Sequence, residues 1–209
     1  MARANSNAEA MLTDVLAQSV TPLLKSAGFR KSGRNYHRRH GKTAQVVNIQ
    51  VSHGSSWSQK EFYINAGIAF DAICTLVGVP VFDRPKEYEC DKLGTRDRLE
   101  ALIPGAPSTW MLRVGEDTRN TMTALRDCMQ QLLRELDGID GLETYRMHRW
   151  FDRFRPAEVN AQVLYLLGDH AGAWREVQDL AAQFADRRNA TRPDWWLDRL
   201  QLTGLGPAQ

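Results

Sequence analysis

Side chains that could take part in chemistry are concentrated between residues 34 and 66 of this sequence. Asn35, Asn48 and Asn65 each lie in a run whose apolar residues alternate as in a β-strand. Asparagine is depleted in strands, so its repeated use there needs a reason. One reason is recognition, because a side-chain amide offers a donor and an acceptor to a peptide, base or sugar. The candidate binding residues are these asparagines and their polar neighbours: Asn35, His37, Arg39, Asn48, Gln50, Tyr63 and Asn65.

The asparagine row also has two structural interpretations. It could be the solvated outer face of an antiparallel sheet, because such sheets often leave one face in water. It could instead be a ladder of amides that ties loops or the C-terminal segment to the sheet. If C-terminal helices filled this face, a binding surface would have to lie elsewhere on the protein.

A second candidate surface is the basic hairpin 30–42. It could bind the phosphates of a nucleic acid, with Tyr36 or Trp57 stacking on bases, or the acidic surface of a protein. It could also simply protect an edge strand from aggregation. The net charge of +2 gives no whole-chain signature of nucleic-acid binding, and we favour a protein partner. The basic residues of this hairpin are Arg30, Lys31, Arg34, His37, Arg38, Arg39, His40 and Lys42.

Catalytic and metal-binding patterns find little support in the sequence. His37 and His40 would point to opposite faces of a strand, which disfavours a shared metal ion. Neither a Gly-x-Ser-x-Gly elbow nor a phosphate-binding Gly-x-x-x-x-Gly-Lys-Ser/Thr loop occurs. Cys74, Cys90 and Cys128 form no Cys-x-x-Cys pair, and their wide spacing fits a reducing compartment. We therefore predict no metal and no cofactor, and favour a non-enzymatic binding protein over a hydrolase that would use His37 and the amide row.

Three antiparallel strands are predicted to position the amide row, at about 34–40, 43–52 and 61–70. A two-residue turn at Gly41-Lys42 sets the first pairing and places Asn35 opposite Asn48. Matching the apolar sets of the next two strands places Asn48 opposite Asn65, since a one-residue slip would mix the two faces. The predicted core face carries Tyr36, Val47, Ile49, Val51, Phe62, Ile64, Ala66 and Ile68.

The rest of the chain predicts helices around this sheet. An amphipathic helix begins at Ala8, is interrupted by Pro22 and ends before Gly28. The later predictions, in chain order, are irregular chain with a short helix or turn at 71–92, a short helix at 91–103, a fourth strand at 109–114, a long helix at 117–136, a helical hairpin within 157–186 and a last short helix around 195–200.

These elements predict an α+β fold. Its antiparallel sheet has about four strands, a three-stranded meander plus one, packed on helices and followed by a C-terminal helical hairpin. We predict an α+β domain at 7–142 and a helical tail at 143–209 that packs on it. The N-terminus lacks a secretory signal pattern, and no apolar run reaches the ~18–20 residues of a membrane span. We expect a cytoplasmic protein that does not bind membranes.

Several short motifs match one known family. They are Gly28-Phe29-Arg30-Lys31 with Tyr36-x-Arg38, Val47-Asn48-Ile49-Gln50-Val51-Ser52 followed by Phe62-Tyr63-Ile64-Asn65-Ala66-Gly67, and Arg96-x-Arg98-Leu99 with Trp110. With these motifs the sequence resembles, over roughly residues 8–140, a bacterial family catalogued as domain of unknown function 4304. Trp110-Met111 stands where that family usually has two tryptophans. The resemblance implies an α+β fold without an established activity. Because some members look like immunity proteins of toxin systems, it also implies a protein partner.

Overall fold

A six-stranded antiparallel sheet lies at the centre of the fold. The computed structural model describes residues 7–154, 157–184, 192–202 and 204–205. The strands are β1 Arg30–Ser32, β2 Asn35–His40, β3 Thr43–Val51, β4 Gln59–Phe70, β5 Gly94–Arg98 and β6 Trp110–Arg113. They follow the order β1-β2-β3-β4-β5, and β6 also pairs with β4.

Strand β4 has two partners along one of its edges. Its first residues, Gln59 to Phe62, pair with β6, and its later residues, Asn65 to Ala69, pair with β5. Tyr63 therefore lies between the two short strands on that edge, while it pairs with Gln50 of β3 on the other.

The predicted register of the three long strands is confirmed. Asn48 lies opposite Asn35 on β2 and opposite Asn65 on β4, and Ile49 lies opposite Ile64. Because paired residues point to the same side of a sheet, the face with Tyr36 and Ile49 and the face with the asparagines are distinct. We call them the first face and the second face. The predicted residues of the first face all belong to the main hydrophobic core, with Val51 at its border.

Helices cover the first face and make up the C-terminal part of the chain. The N-terminal helix is interrupted where Pro22 predicted it, and Gly28 ends it with a φ of 86°. The helices are α1 Ala8–Ser19, α2 Thr21–Ser26, α3 Asp71–Leu76, α4 Cys90–Leu93, α5 Leu99–Leu102, α6 Arg119–Asp137, α7 Leu142–Met147, α8 Arg149–Arg153, α9 Glu158–Leu166, α10 His170–Gln183 and α11 Pro193–Leu200, with a short 3-10 helix at Glu87–Glu89. Across the described residues, none of them combines the length and apolar character required to cross a bilayer.

The prediction of about four strands is corrected to six. β5 lies inside the range 91–103, where one short helix was expected, and α4 and α5 flank it. Its sequence, Gly-Thr-Arg-Asp-Arg, has no apolar alternation, so backbone pairing with β4 decides its conformation. Gly94 permits this pairing, because a Cβ at that position would lie 1.9 Å from the carbonyl oxygen of Ile68.

The C-terminal part is more extensive than a hairpin. α9 and α10 pack against each other and α11 forms the last short helix, as predicted, but α7 and α8 belong to the same region. The predicted end of the second hairpin helix, residue 186, lies outside the described residues. Trp150 and Phe151 are buried in the main core, and the ring of Tyr145 lies 5.2 Å from that of Phe70 in β4. The division at residue 142 stays a prediction.

Candidate functional site

The asparagine row forms a hydrogen-bonded ladder across three strands. Nδ2 of Asn48 donates to Oδ1 of Asn35 at 2.8 Å. Nδ2 of Asn65 donates to Oδ1 of Asn48 at 3.1 Å and to Oε1 of Gln50 at 3.0 Å. We call these four residues the amide ladder. The ladder ties β2, β3 and β4 to one another and fixes the orientation of each amide plane.

One end of the second face is covered. Val46, Ala69, Cys74, Cys90 and Leu93 form a minor hydrophobic cluster there, separate from the main core. Cys74 and Cys90 come from the segment 71–92, for which the sequence predicted irregular chain with a short helix or turn, and Leu93 comes from the range 91–103, where a short helix was predicted. Among the hydrogen bonds of the described residues, none joins the amide ladder to the helices after residue 142.

Burial changes along the amide ladder. Asn65 is only 1% exposed, and its Oδ1 has no hydrogen-bond partner. Asn35 and Asn48 are half-buried, and Gln50 is exposed. The ladder therefore begins inside the protein and reaches the surface at Gln50.

Four side chains at the exposed end of the ladder form what we call the open face. They are Gln50, its strand partner Tyr63, Arg98 and Met111. The Arg98 guanidinium lies over the Tyr63 ring at 4.3 Å, and Met111 is 37% exposed opposite Glu61 on the same side of the sheet. The Tyr63 hydroxyl donates to Oε1 of Glu61 at 2.8 Å, which fixes the ring.

Sequence reasoning missed two members of the open face. Arg98 could not be placed because β5 was not predicted. Met111 lies in the predicted fourth strand, but nothing in the sequence showed which half of β4 that strand pairs with. Once the pairings of β5 and β6 with β4 are known, both residues can be placed beside Tyr63 on the second face. The sequence alone does not give those pairings.

His37 and Arg39 belong to a different part of the second face. They line a cavity of about 360 Å³ together with Arg30, Arg38, Asp83 and Arg84. Arg39 forms a two-point ion pair with Asp71, in which Nη1 lies 2.9 Å from Oδ1. Burial, and then the charge of Arg84, lowers the pKa of His37. The predicted site residues thus divide between the open face with its ladder and this cavity.

The basic hairpin is less available to a ligand than its sequence indicates. Arg34 is ion-paired with Glu9, Arg39 with Asp71 and Arg38 with Asp137. Arg38 lies on the first face, where its side chain is only 7% exposed. These three arginines therefore contribute to the fold, and the hairpin does not present a continuous row of free cations.

The described residues hold no apparent centre for metal or thiol chemistry. No three His, Cys, Asp or Glu side chains within these ranges lie close enough together to bind a metal ion. Cys74, Cys90 and Cys128 are buried, and burial raises the pKa of each thiol above its usual value. Protonated, buried thiols are poor nucleophiles. What the second face offers a ligand is hydrogen-bond donors and acceptors, such as Gln50, and the positive charge of Arg98, Arg30 and Arg84.

Comparison with known proteins places the chain in a family. The family model described as domain of unknown function (DUF4304) matches residues 20–153, more than half of the chain. The chain belongs to this family, which confirms the resemblance seen in its motifs. No curated protein and no solved structure matches it. The matched region contains all six strands, the amide ladder and the cavity.

Proposed function

We propose that this member of the DUF4304 family is a non-enzymatic binding protein, whose open face contacts an acidic surface of a protein partner. One observation carries the proposal: Gln50, Tyr63, Arg98 and Met111 lie together on one end of the second face. Tyrosine, arginine and methionine are enriched in the centres of protein interfaces. The half-buried Asn35 and Asn48 would lie at the border of this surface, the buried Asn65 would support it from inside the sheet, and His37 and Arg39 would lie beyond it at the cavity.

Rigidity supports a role in binding. The amide ladder holds Gln50 through Asn65, and Glu61 holds the hydroxyl of Tyr63. Ordering flexible side chains costs binding free energy, about 0.5–1.5 kcal/mol for each immobilised side chain. A surface whose side chains are already fixed avoids part of that cost.

The charge of the second face supports an acidic partner. Arg98 is exposed, and among the described residues its guanidinium contacts only the neutral ring of Tyr63. Arg30 and Arg84 add positive charge at the cavity on the same side of the sheet. Opposite charges across an interface speed association and select the partner.

The two other functions considered have less support. A nucleic-acid site on the hairpin 30–42 would need free cations, but Arg34, Arg38 and Arg39 are paired with carboxylates. A hydrolase would need a base held beside a nucleophile. Nδ1 of His37 instead has no hydrogen-bond partner, and the amide of Asn65 is used by the ladder.

The proposal can be tested by crosslinking from the open face. A photoreactive amino acid placed at Gln50 should crosslink a partner in host extract, whereas the same group at Lys25 should not, because α2 packs on the other side of the sheet. The crosslinked protein is then purified and its affinity measured by calorimetry. Arg98→Glu should weaken binding by about tenfold or more, and the control Lys25→Glu should leave it unchanged.

Two outcomes would contradict this function. One is equal crosslinking from Gln50 and Lys25. The other is an affinity for the purified partner that Arg98→Glu does not change, while circular dichroism shows that the variant is folded.

A further inference from the structure

The cavity beside β2 carries a positive charge that the fold does not neutralise. Arg38 and Arg39 are each paired with an aspartate. The side chains of Arg30 and Arg84 have no hydrogen bond or ion pair to another described residue. Asp83 is the one carboxylate among the described lining residues. The two unpaired guanidinium groups and the one aspartate together give the cavity a net charge of +1.

His37 supplies a second, independent indication of a ligand. His37 lines the cavity although the residue is only 8% exposed, and its Nδ1 is buried without a partner. A proton on Nδ1 would be a buried donor without an acceptor, which costs about 1–3 kcal/mol. Nε2 is not among the buried unpartnered atoms of the described residues, so a neutral ring with its proton on Nε2 keeps a donor that a ligand can reach. A neutral donor is thus available beside the two free arginines.

We propose that this cavity binds one carboxylate group. Arg30 and Arg84 would neutralise it, and the Nε2–H group of His37 would donate a hydrogen bond. The single negative charge of a carboxylate matches the single unneutralised positive charge of the cavity. A doubly charged phosphate would instead place an excess of negative charge beside Asp83. The planar fork of a guanidinium also matches the two oxygens of a carboxylate.

The size of the cavity fits this ligand class. Its volume of about 360 Å³ is far larger than the ~30 Å³ that one water molecule occupies. It lies at the lower end of the ~300–1,000 Å³ typical of small-molecule sites. Either an acidic side chain of a partner or a small free organic acid could supply the carboxylate. This site goes beyond the function proposed above, because it would bind a small acid whatever the open face contacts.

Nuclear magnetic resonance titration of the whole chain tests the site. The probes are sodium acetate, N-acetyl-glutamate amide, sodium phosphate and sodium chloride, each at the same ionic strength. Acetate should shift the backbone amide signals of Gly28, His37 and Arg84 with saturation, and chloride should not. Arg84→Gln and Arg30→Gln should each weaken acetate binding about tenfold, the loss expected for one charged hydrogen bond. Both side chains are exposed, so both variants should fold.

The control variant is Lys31→Gln, which removes a positive charge from the same strand as Arg30 but on the other face. It should keep the affinity of the wild type for acetate. A capped glutamate that binds more tightly than acetate would identify a protein side chain as the source of the carboxylate, and the reverse order would identify a free acid. Shifts that chloride reproduces, tighter binding of phosphate, or equal losses in all three variants would overturn the proposal. None of these outcomes depends on crosslinking from Gln50.

Discussion

The amide of Asn65 donates from Nδ2 to Oδ1 of Asn48 at 3.1 Å, across β4 and β3. The contact follows from the strand register, which places the two asparagines directly opposite each other. Asn65 is almost completely buried, and the same nitrogen also donates to Gln50. One buried amide therefore links the interior of the sheet to the exposed residue at the centre of the proposed interface.

Replacing this amide should destabilise the protein. Asn65→Asp removes both donors and places carboxylate oxygens against Oδ1 of Asn48 and Oε1 of Gln50. We expect the free energy of unfolding to fall by about 3 kcal/mol or more at neutral pH, because a buried charge is left facing acceptors. Urea unfolding would measure the loss. Gln50→Ala is the matched control and should cost less than about 1 kcal/mol, since Gln50 is exposed. A loss of less than about 1 kcal/mol from Asn65→Asp would show that the ladder does not stabilise the sheet.

The central register was predictable because two independent signals agree on it. The Gly41-Lys42 turn sets the pairing of β2 with β3, and the apolar alternation sets that of β3 with β4. Both signals are local, and both can be read from the sequence. The residues that β2, β3 and β4 contribute to the second face followed from the same register.

The missing parts depend on contacts between distant segments. β5 is polar and becomes a strand only because β4 offers it a backbone edge. Arg38 looked like part of a basic surface, yet its Nε donates to Gln45 and its Nη2 to Asp137 from a buried position. The cavity needs Arg84, a residue 47 positions after His37 in the chain. Nothing in local spacing indicates such contacts.

A methyl group at Gly94 should disrupt the pairing of β5 with β4. An added Cβ would lie 1.9 Å from the carbonyl oxygen of Ile68, so the backbone would have to move. We expect Gly94→Ala to lower the free energy of unfolding by at least about 3 kcal/mol, at the upper end of the cost of overpacking. Thermal and urea unfolding would measure the change.

Gly54→Ala provides the comparison for Gly94→Ala. The nearest atom to a Cβ at Gly54 is Oγ of Ser52, at 3.6 Å, which is an ordinary contact. This variant should therefore stay within about 1 kcal/mol of the wild type. If the two variants lost the same stability, the close approach of β5 to β4 would not be a requirement of the fold.

Arg38 should be needed for stability and should not tolerate lysine. Its Nε donates to Gln45 at 2.8 Å, Nη1 to the carbonyl of Ala27 at 2.9 Å and Nη2 to Asp137 at 2.6 Å. Lysine has one nitrogen and cannot reach three separate acceptors in this fork geometry. Arg38→Lys should lower the free energy of unfolding by about 2–3 kcal/mol.

Arg34→Lys is the control for Arg38→Lys. Arg34 forms an exposed ion pair with Glu9, and pairs of that kind contribute about 0–1 kcal/mol. Its replacement should change the urea midpoint only slightly. A tolerated Arg38→Lys, with the midpoint of the wild type, would mean that this arginine is free for the basic surface that the sequence suggested.

Stability should fall as the pH drops from neutral, in part because of His37. Burial and Arg84 hold the pKa of His37 below its ordinary value of 6.5 in the native state. In the unfolded chain the ring has its ordinary pKa, so between the two pKa values the unfolded state binds more protons than the native state. The free energy of unfolding therefore decreases as the pH falls from about 7 towards the lowered pKa. Burial also lowers the pKa of His148, which adds to the same decrease.

Variants at His37 and Arg84 separate this contribution from that of His148. Urea unfolding at a series of pH values between about 7.5 and 5.5 should show a smaller decrease for His37→Gln, because the group that takes up the proton is gone. Arg84→Gln should also reduce the decrease, since without that charge the native pKa of His37 lies closer to 6.5. His148→Gln should remove the remaining share, so that a His37→Gln, His148→Gln double variant has the flattest profile. A profile that neither His37→Gln nor Arg84→Gln changes would contradict a neutral, buried His37 in the cavity.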